Sequence, residues 1–147
     1  MQNSDLKLSF DVDGTLLRES VQRYARELID RGFDVWITTR RYNSLDLYTR
    51  DFQRQYGIMN LELEHQKLFD IAAELGIPNN KIRFTNMQDK WLFFSPNRGF
   101  LWHLDDDPSE CNDINRFTKT VAVSCSSGSN WKGKCERIIK NKLNEAV

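Results

Sequence analysis

Short apolar runs alternate along the chain with longer stretches whose apolar residues recur at helical spacing. The short runs are rich in β-branched and aromatic side chains, which is typical of buried strands. They predict five strands, at Leu6–Phe10, Phe33–Thr39, Lys81–Thr85, Phe100–Leu104 and Thr120–Ser124.

Apolar positions three and four residues apart predict amphipathic helices between and after these strands. The predicted helices cover Glu19–Arg31, about Ser44–Tyr56, about Leu63–Leu75, a segment that begins at Asp107, and a closing segment from Trp131 to Leu143. Because strands and helices alternate, the sequence predicts an α/β fold. We expect a mostly parallel five-stranded sheet with helices on both faces.

Composition narrows the class of protein. A chain of 147 residues with 39% apolar residues predicts a single domain over residues 1–147. The 21 basic and 21 acidic side chains cancel, which argues against a general electrostatic binder of nucleic acid or of acidic membrane. The sequence shows no apolar run of the ~20 residues that a membrane span needs and no secretory signal. Three cysteines without metal-type spacing predict reduced thiols in a cytoplasmic protein.

Polar side chains stand where the predicted strands end, at the sheet edge where parallel α/β folds bind ligands. They are Asp11 and Asp13 after the first strand, Thr38 and Thr39 at the second, Lys90 after the third, and Asp105, Asp106 and Asp107 at the fourth. Converging carboxylates repel one another unless a cation lies between them, and hard oxygen ligands suit Mg²⁺. The sequence therefore predicts a Mg²⁺ site that an anionic phosphate can approach.

These residue types support phosphoryl transfer. A carboxylate such as Asp11 can attack phosphorus and form an aspartyl-phosphate. Asp13, two residues later, can protonate the leaving oxygen and then deprotonate the water that hydrolyses the intermediate. A Thr38 hydroxyl and the Lys90 ammonium would hold phosphate oxygens and neutralise their charge.

The motifs resemble those of the haloacid dehalogenase (HAD) superfamily. Asp11–Leu16 (DVDGTL) resembles its first motif, Asp-x-Asp-Gly-Thr in the phosphatase branch. Ile37–Arg40 resembles the second, an apolar strand that ends in Thr or Ser. Asp89-Lys90 resembles the third, and Leu104–Pro108, with its pair of aspartates, resembles the fourth. The four motifs follow the family's order over residues 6 to about 110.

The resemblance implies a Mg²⁺-dependent phosphatase with a Rossmann-like three-layer fold and strand order 5-4-1-2-3. It implies that Asp11 is the nucleophile and a metal ligand. Asp13 would be the general acid and base, and a metal ligand through its backbone carbonyl. Asp106 would be the acidic metal ligand of the fourth motif, with Asp105 supporting the metal shell.

The resemblance also implies a phosphate-binding set. Thr38 and Lys90 would contact the phosphoryl group, with Thr39 as the alternative to Thr38. Arg40 is a further candidate for substrate binding, against the alternative of a surface salt bridge. His103, inside the fourth strand, is interpreted as a buried, hydrogen-bonded histidine rather than a ligand.

Within the superfamily the motifs look most like those of 5′(3′)-deoxyribonucleotidases and polynucleotide phosphatase modules. A nucleotide or a nucleic-acid end is thus the favoured substrate. Asp11 and Thr38 lie only 27 positions apart, an interval that one helix and one strand fill, so we expect no large cap. Whether an oligomer or a partner protein covers the site in place of a cap is left open by the sequence.

Two other classes of function stay open at this stage. A receiver-type signalling domain also accepts a phosphoryl group on an aspartate. Asp13 argues against it, because a receiver needs no general acid two residues from its nucleophile. The other is a binding module that has kept the fold and lost turnover.

Overall fold

A single parallel sheet forms the centre of the molecule. The computed structural model describes residues 1–95 and 99–145. The strands are β1 (Lys7–Phe10), β2 (Asp34–Thr39), β3 (Ile82–Phe84), β4 (Phe100–Asp105) and β5 (Val121–Ser124). Their order is β3-β2-β1-β4-β5, and every neighbouring pair is parallel. The predicted α/β class and strand order are confirmed, and β1 occupies the middle.

Helices cover both faces of this sheet, as predicted. They are α1 (Glu19–Asp30), α2 (Arg50–Tyr56), α3 (Ile58–Leu75), α4 (Pro108–Phe117) and α5 (Trp131–Glu145). Apolar residues of α1, α3 and α5 join β1 and β2 in the larger core cluster, which holds Phe10, Tyr24 and Leu68. A smaller cluster includes Phe94, Phe100 and Ile114 of α4. In the described residues no inserted domain covers the carboxyl edge of the sheet.

The predicted helix at Ser44–Tyr56 is wrong in its first half. The Ser44 hydroxyl accepts the Asp46 N–H, and only a short 3₁₀ turn follows, at Leu45–Leu47. The α-helix α2 begins later, where the Thr49 hydroxyl accepts the N–H of Phe52. Ser and Thr side chains compete locally with helical hydrogen bonds, so these two caps override the apolar periodicity.

The helix predicted at Leu63–Leu75 starts earlier, at Ile58. Gly57, with φ +77°, lies between α2 and α3 and redirects the chain there. The segment predicted to begin at Asp107 is α4. The Asp107 side chain accepts the Ser109 N–H, and Pro108 opens the helix. All three cysteines are buried free thiols. Among the described helices none has the length and apolar character needed to cross a membrane.

Candidate functional site

Three carboxylates meet at the carboxyl edge of β1 and β4. The backbone N–H of Asp11 donates to the Leu104 carbonyl at 2.9 Å, which fixes the end of β1 against the end of β4. Carboxylate oxygens of Asp11, Asp105 and Asp106 consequently lie within 4.8 Å of one another. Asp11 and Asp105 are buried, whereas Asp106 is exposed. The set offers hard oxygen ligands on one side of an open cavity.

The Lys90 ammonium lies inside this cluster. Its Nζ donates to Asp11 Oδ1 at 2.7 Å and to Asp105 Oδ2 at 2.6 Å, and the residue is 2% exposed. A short 3₁₀ turn at Lys90–Phe93, after β3, delivers the side chain there. Lys90 is therefore not a solvated surface lysine.

The charges in the cluster shift its acid–base equilibria. Burial lowers the pKa of Lys90, but the carboxylates of Asp11 and Asp105 outweigh it, and the net shift is upward. Burial raises the pKa of Asp11 well above its usual value, and the Asp105 charge adds to this, although Lys90 opposes both. Three carboxylates against one ammonium leave an excess of negative charge that suits a divalent cation.

Gly14 allows the first loop to approach Asp106. It adopts φ +74°, which favours glycine, in the tight turn at Val12–Leu16. A Cβ at this position would lie 2.0 Å from Asp106 Oδ2, so any other residue would displace that carboxylate. In the same turn the Thr15 hydroxyl donates to Asp11 Oδ2 at 3.0 Å. The turn therefore orients Asp11 and makes room for Asp106.

A buried hydrogen-bond chain orients Asp105. Both Nε and an Nη of Arg83 donate to the Thr38 hydroxyl, which lies 2.9 Å from the Ser9 hydroxyl. Ser9 contacts His103 Nδ1 at 2.9 Å, and His103 Nε2 contacts Asp105 Oδ2 at 2.8 Å. Since Arg83 only donates and the Asp105 carboxylate only accepts, every proton in the chain points towards Asp105.

The chain explains the charge states at its end. Burial opposes a charge on Asp105, but the hydrogen bond from His103 and the nearby Lys90 outweigh it, so the pKa of Asp105 is lower than usual. Complete burial lowers the pKa of His103 to about 4, against the opposing effect of Asp105. His103 is thus a neutral, hydrogen-bonded histidine, as the sequence predicts.

Stability will depend on pH through His103. Its pKa is about 4 when folded and about 6.5 when unfolded. Between these values the unfolded chain binds a proton that the folded protein does not, so the free energy of unfolding falls as the pH drops from 6.5 to 4. At pH 4.5 we expect the loss from this residue to be about 2–3 kcal/mol.

Urea unfolding at pH 7 and pH 4.5, in EDTA, measures this loss. The variant His103→Gln keeps a donor for Asp105 but does not titrate, so its stability should fall less over the same range. Equal losses in both proteins would contradict the assignment.

Thr39, not Thr38, lines the cavity above the carboxylates. This cavity has a volume of about 470 Å³ and is also lined by Asp11, Asp13, Gly14, Arg40, Lys90, Asp105, Asp106, Asp107, Pro108 and Glu110. The Thr38 hydroxyl is fully buried in the hydrogen-bond chain beneath the sheet edge. Because successive side chains of a strand point to opposite faces, only one of the two threonines can serve the chain. Of the two threonines, Thr39 is therefore the one that faces the cavity.

Asp13 lies at the rim of the cavity, held by Arg41. Arg41 donates from Nε to Asp13 Oδ2 at 3.0 Å and from an Nη to Oδ1 at 2.7 Å. The Asp13 side chain is 60% exposed, whereas the Arg41 side chain is only 9% exposed. The Arg41 guanidinium also donates to the Glu64 carbonyl. Asp13 is therefore an accessible carboxylate on a rigid support, within the same cavity as Asp11.

Arg40 lies on the rim with its charge already paired. Its guanidinium donates to Glu110 and, at 2.6 Å, to Asp89. Glu110, in the first turn of α4, is buried and also accepts the Lys90 backbone N–H at 3.3 Å. No signal in the sequence predicts that bridge, because it joins residues far apart in the chain.

No protein-family model matches the chain, and no curated protein matches it significantly. The motifs and the geometry of the site are therefore the features that bear on function.

Proposed function

We propose that this protein is a Mg²⁺-dependent phosphomonoesterase that works through an aspartyl-phosphate on Asp11. The observation that supports this most is the shared cavity: a buried carboxylate, an exposed carboxylate, a hydroxyl and an ammonium all line it, at Asp11, Asp13, Thr39 and Lys90. A nucleophile, a general acid and two phosphate contacts are what a phosphatase of this kind requires.

The donor set fits Mg²⁺. Asp11 and Asp106 would hold the ion together with the backbone carbonyl of Asp13, and Asp105 would support them. The excess of carboxylates and the close approach that Gly14 permits support this assignment. When bound, Mg²⁺ supplies positive charge that lets a phosphate approach a carboxylate nucleophile.

In the first step a carboxylate oxygen of Asp11 attacks phosphorus, an O–P bond forms, and the bond to the leaving oxygen breaks. Hydrogen bonds from Thr15 and Lys90 hold the Asp11 carboxylate in place for this attack. The Lys90 ammonium and the Thr39 hydroxyl then stabilise charge on the phosphoryl oxygens. Because these donors are already in position, little reorganisation is required.

Asp13 serves both steps. Carrying a proton, it gives that proton to the leaving oxygen, and as a carboxylate it then takes a proton from the water that hydrolyses the phospho-aspartate. The Arg41 guanidinium holds this side chain at the cavity rim between the two steps. Asp13 turns out of that contact to reach the reacting oxygens.

The proposal extends to substrate and compartment. A nucleotide or a nucleic-acid end is the proposed substrate class, in line with the motif resemblance. Three buried free thiols are compatible with a reducing cytoplasm. A second copy or a partner that covers the open edge would exclude water during the reaction.

Release of inorganic phosphate tests the proposal. We expect the wild-type protein to release phosphate from 4-nitrophenyl phosphate with Mg²⁺, to stop when EDTA is in excess, and to resume when Mg²⁺ is restored. The midpoint of thermal unfolding should also rise with Mg²⁺, because an ion that binds only the folded state stabilises it.

Other outcomes would favour the other classes of function. A phosphoprotein that lasts for minutes without phosphate release would favour a receiver-type domain. A shift with Mg²⁺ but neither phosphoprotein nor release would favour a binding module.

A further inference from the structure

We propose that an aromatic cleft beside Asp13 binds the base of a nucleotide, so that the substrate is a nucleoside monophosphate or a terminal phosphorylated nucleotide. The aromatic cleft is the cavity of about 380 Å³ whose wall is formed by Tyr48, Phe52 and Tyr56. This inference rests on the proposed phosphatase function and names the leaving group that the site would accept.

The wall of the cleft is a stack of rings, in which Tyr56 is exposed and Tyr48 and Phe52 are half-buried. Tyr48 and Phe52 stack with centroids 4.9 Å apart and planes 17° apart, and Phe52 and Tyr56 lie 4.4 Å apart. Tyr42 supports the stack edge-on against Tyr48 at 4.8 Å. No residue of α2 is buried, and Tyr56 is 50% exposed. The rings are thus ordered against one another and not buried in the core.

The cleft adjoins the reacting groups. Asp13 and Arg40 line both the aromatic cleft and the cavity that contains Asp11. A leaving oxygen that receives a proton from Asp13 must lie next to that side chain. The group attached to this oxygen then extends past Asp13 into the cleft.

The lining of the cleft favours a planar base with polar edges. Aromatic side chains stack on nucleobases of any sequence. Glu64, which also lines the cleft, offers an acceptor to the edge of such a base. The sugar of a nucleotide separates its base from the phosphorus, whereas the ring of an aryl phosphate lies directly on the leaving oxygen. A nucleotide therefore reaches the rings, while glycerol phosphate would leave them without a partner.

Kinetics on paired substrates test the inference. We expect wild-type protein to have a higher kcat/KM for nucleoside 5′- or 3′-monophosphates, or for a 3′-phosphorylated oligonucleotide, than for glycerol phosphate. Phe52→Ala should lower the ratio of kcat/KM for a nucleotide substrate to kcat/KM for glycerol phosphate about tenfold, since one stacking ring is lost. Comparing kcat/KM for the free nucleotides with that for the oligonucleotide shows whether the substrate is a nucleoside monophosphate or a nucleic-acid end.

The matched control is Phe117→Ala. Phe117 is 47% exposed and its ring packs on Trp91 at the end of α4, so its loss should leave the ratio unchanged. Circular dichroism should show both variants folded. An unchanged ratio in Phe52→Ala, or a preference for a phosphotyrosine peptide over nucleotides, would overturn the inference and leave the phosphatase proposal intact.

A binding measurement without Mg²⁺ separates the two proposals. Adenosine 5′-phosphate should shift the aromatic proton resonances of Tyr48 and Phe52 in NMR spectra, and ribose 5-phosphate should not. Shifts without any phosphate release would support the cleft while contradicting the phosphatase. Phosphate release in the assay with Mg²⁺, without these resonance shifts, would support the phosphatase and contradict the cleft as a base-binding site.

Discussion

Replacing Asp11 with asparagine will abolish phosphate release and at the same time make the folded protein more stable. The amide cannot form the aspartyl-phosphate, and loss of a catalytic nucleophile typically lowers kcat by about 10³–10⁶. Steady-state release from 4-nitrophenyl phosphate with Mg²⁺ measures this effect. A variant that keeps its activity would contradict the role of Asp11 as nucleophile.

The gain in stability follows from the electrostatics of the cluster. Burial and the Asp105 charge raise the pKa of Asp11 in the folded protein, so its ionised form is disfavoured there. Asparagine has nearly the same shape without the charge, and Lys90 keeps its bond to Asp105. The advantage of the variant should be small near pH 4 and should grow as the pH rises through the elevated pKa of Asp11. Active-site residues often oppose stability in this way.

Urea unfolding in EDTA at several pH values measures this gain, and added Mg²⁺ should stabilise the wild type more than the variant. Asp30→Asn is the matched control, because Asp30 is an exposed carboxylate at the end of α1 and does not line the cavity. It should change neither activity nor stability by much. A less stable Asp11→Asn variant would show that the carboxylate stabilises the fold, contrary to our interpretation of the cluster.

The sheet and most strand ends were predictable because each depends on local patterns. Apolar runs define the strands, and the DVDGTL and Leu-Asp-Asp motifs follow the two central strands. Parallel topology then brings Asp11 and Asp105 to one edge whatever the details of the loops, whereas Lys90 also needs the 3₁₀ turn after β3. Local sequence patterns therefore predict those residues of the site whose positions depend on strand order.

What the sequence did not determine depends on contacts between distant segments. Adjacent threonines look alike in a sequence. Only the positions of Ser9, His103 and Arg83 assign Thr38 to the hydrogen-bond chain and leave Thr39 for the cavity. The aromatic cleft was missed for a similar reason. The sequence predicts one helix over about Ser44–Tyr56, whereas two hydroxyl caps limit the α-helix there to Arg50–Tyr56.

The proposed role of Asp13 as general acid leads to a sharper prediction, because a general acid matters most when the leaving group is poor. In Asp13→Asn we expect formation of the phosphoenzyme to slow by about 10²–10⁴ for glycerol phosphate. For 4-nitrophenyl phosphate the slowing should be far smaller, since nitrophenolate leaves without a proton. The amide oxygen of the variant can still accept a hydrogen bond from Arg41, and the side chain at this position is largely exposed, so the fold should be unaffected.

The second step gives an independent readout of the same substitution. Without a carboxylate to deprotonate water, hydrolysis of the phospho-aspartate on Asp11 becomes slow. Asp13→Asn should then release one equivalent of nitrophenolate in a rapid burst and turn over slowly afterwards. Acid quenching should trap the phosphoprotein, and Asp11→Asn should show neither burst nor trapped phosphate. Equal slowing on both substrates without a burst would mean that Asp13 only positions the site, and that another group moves the proton.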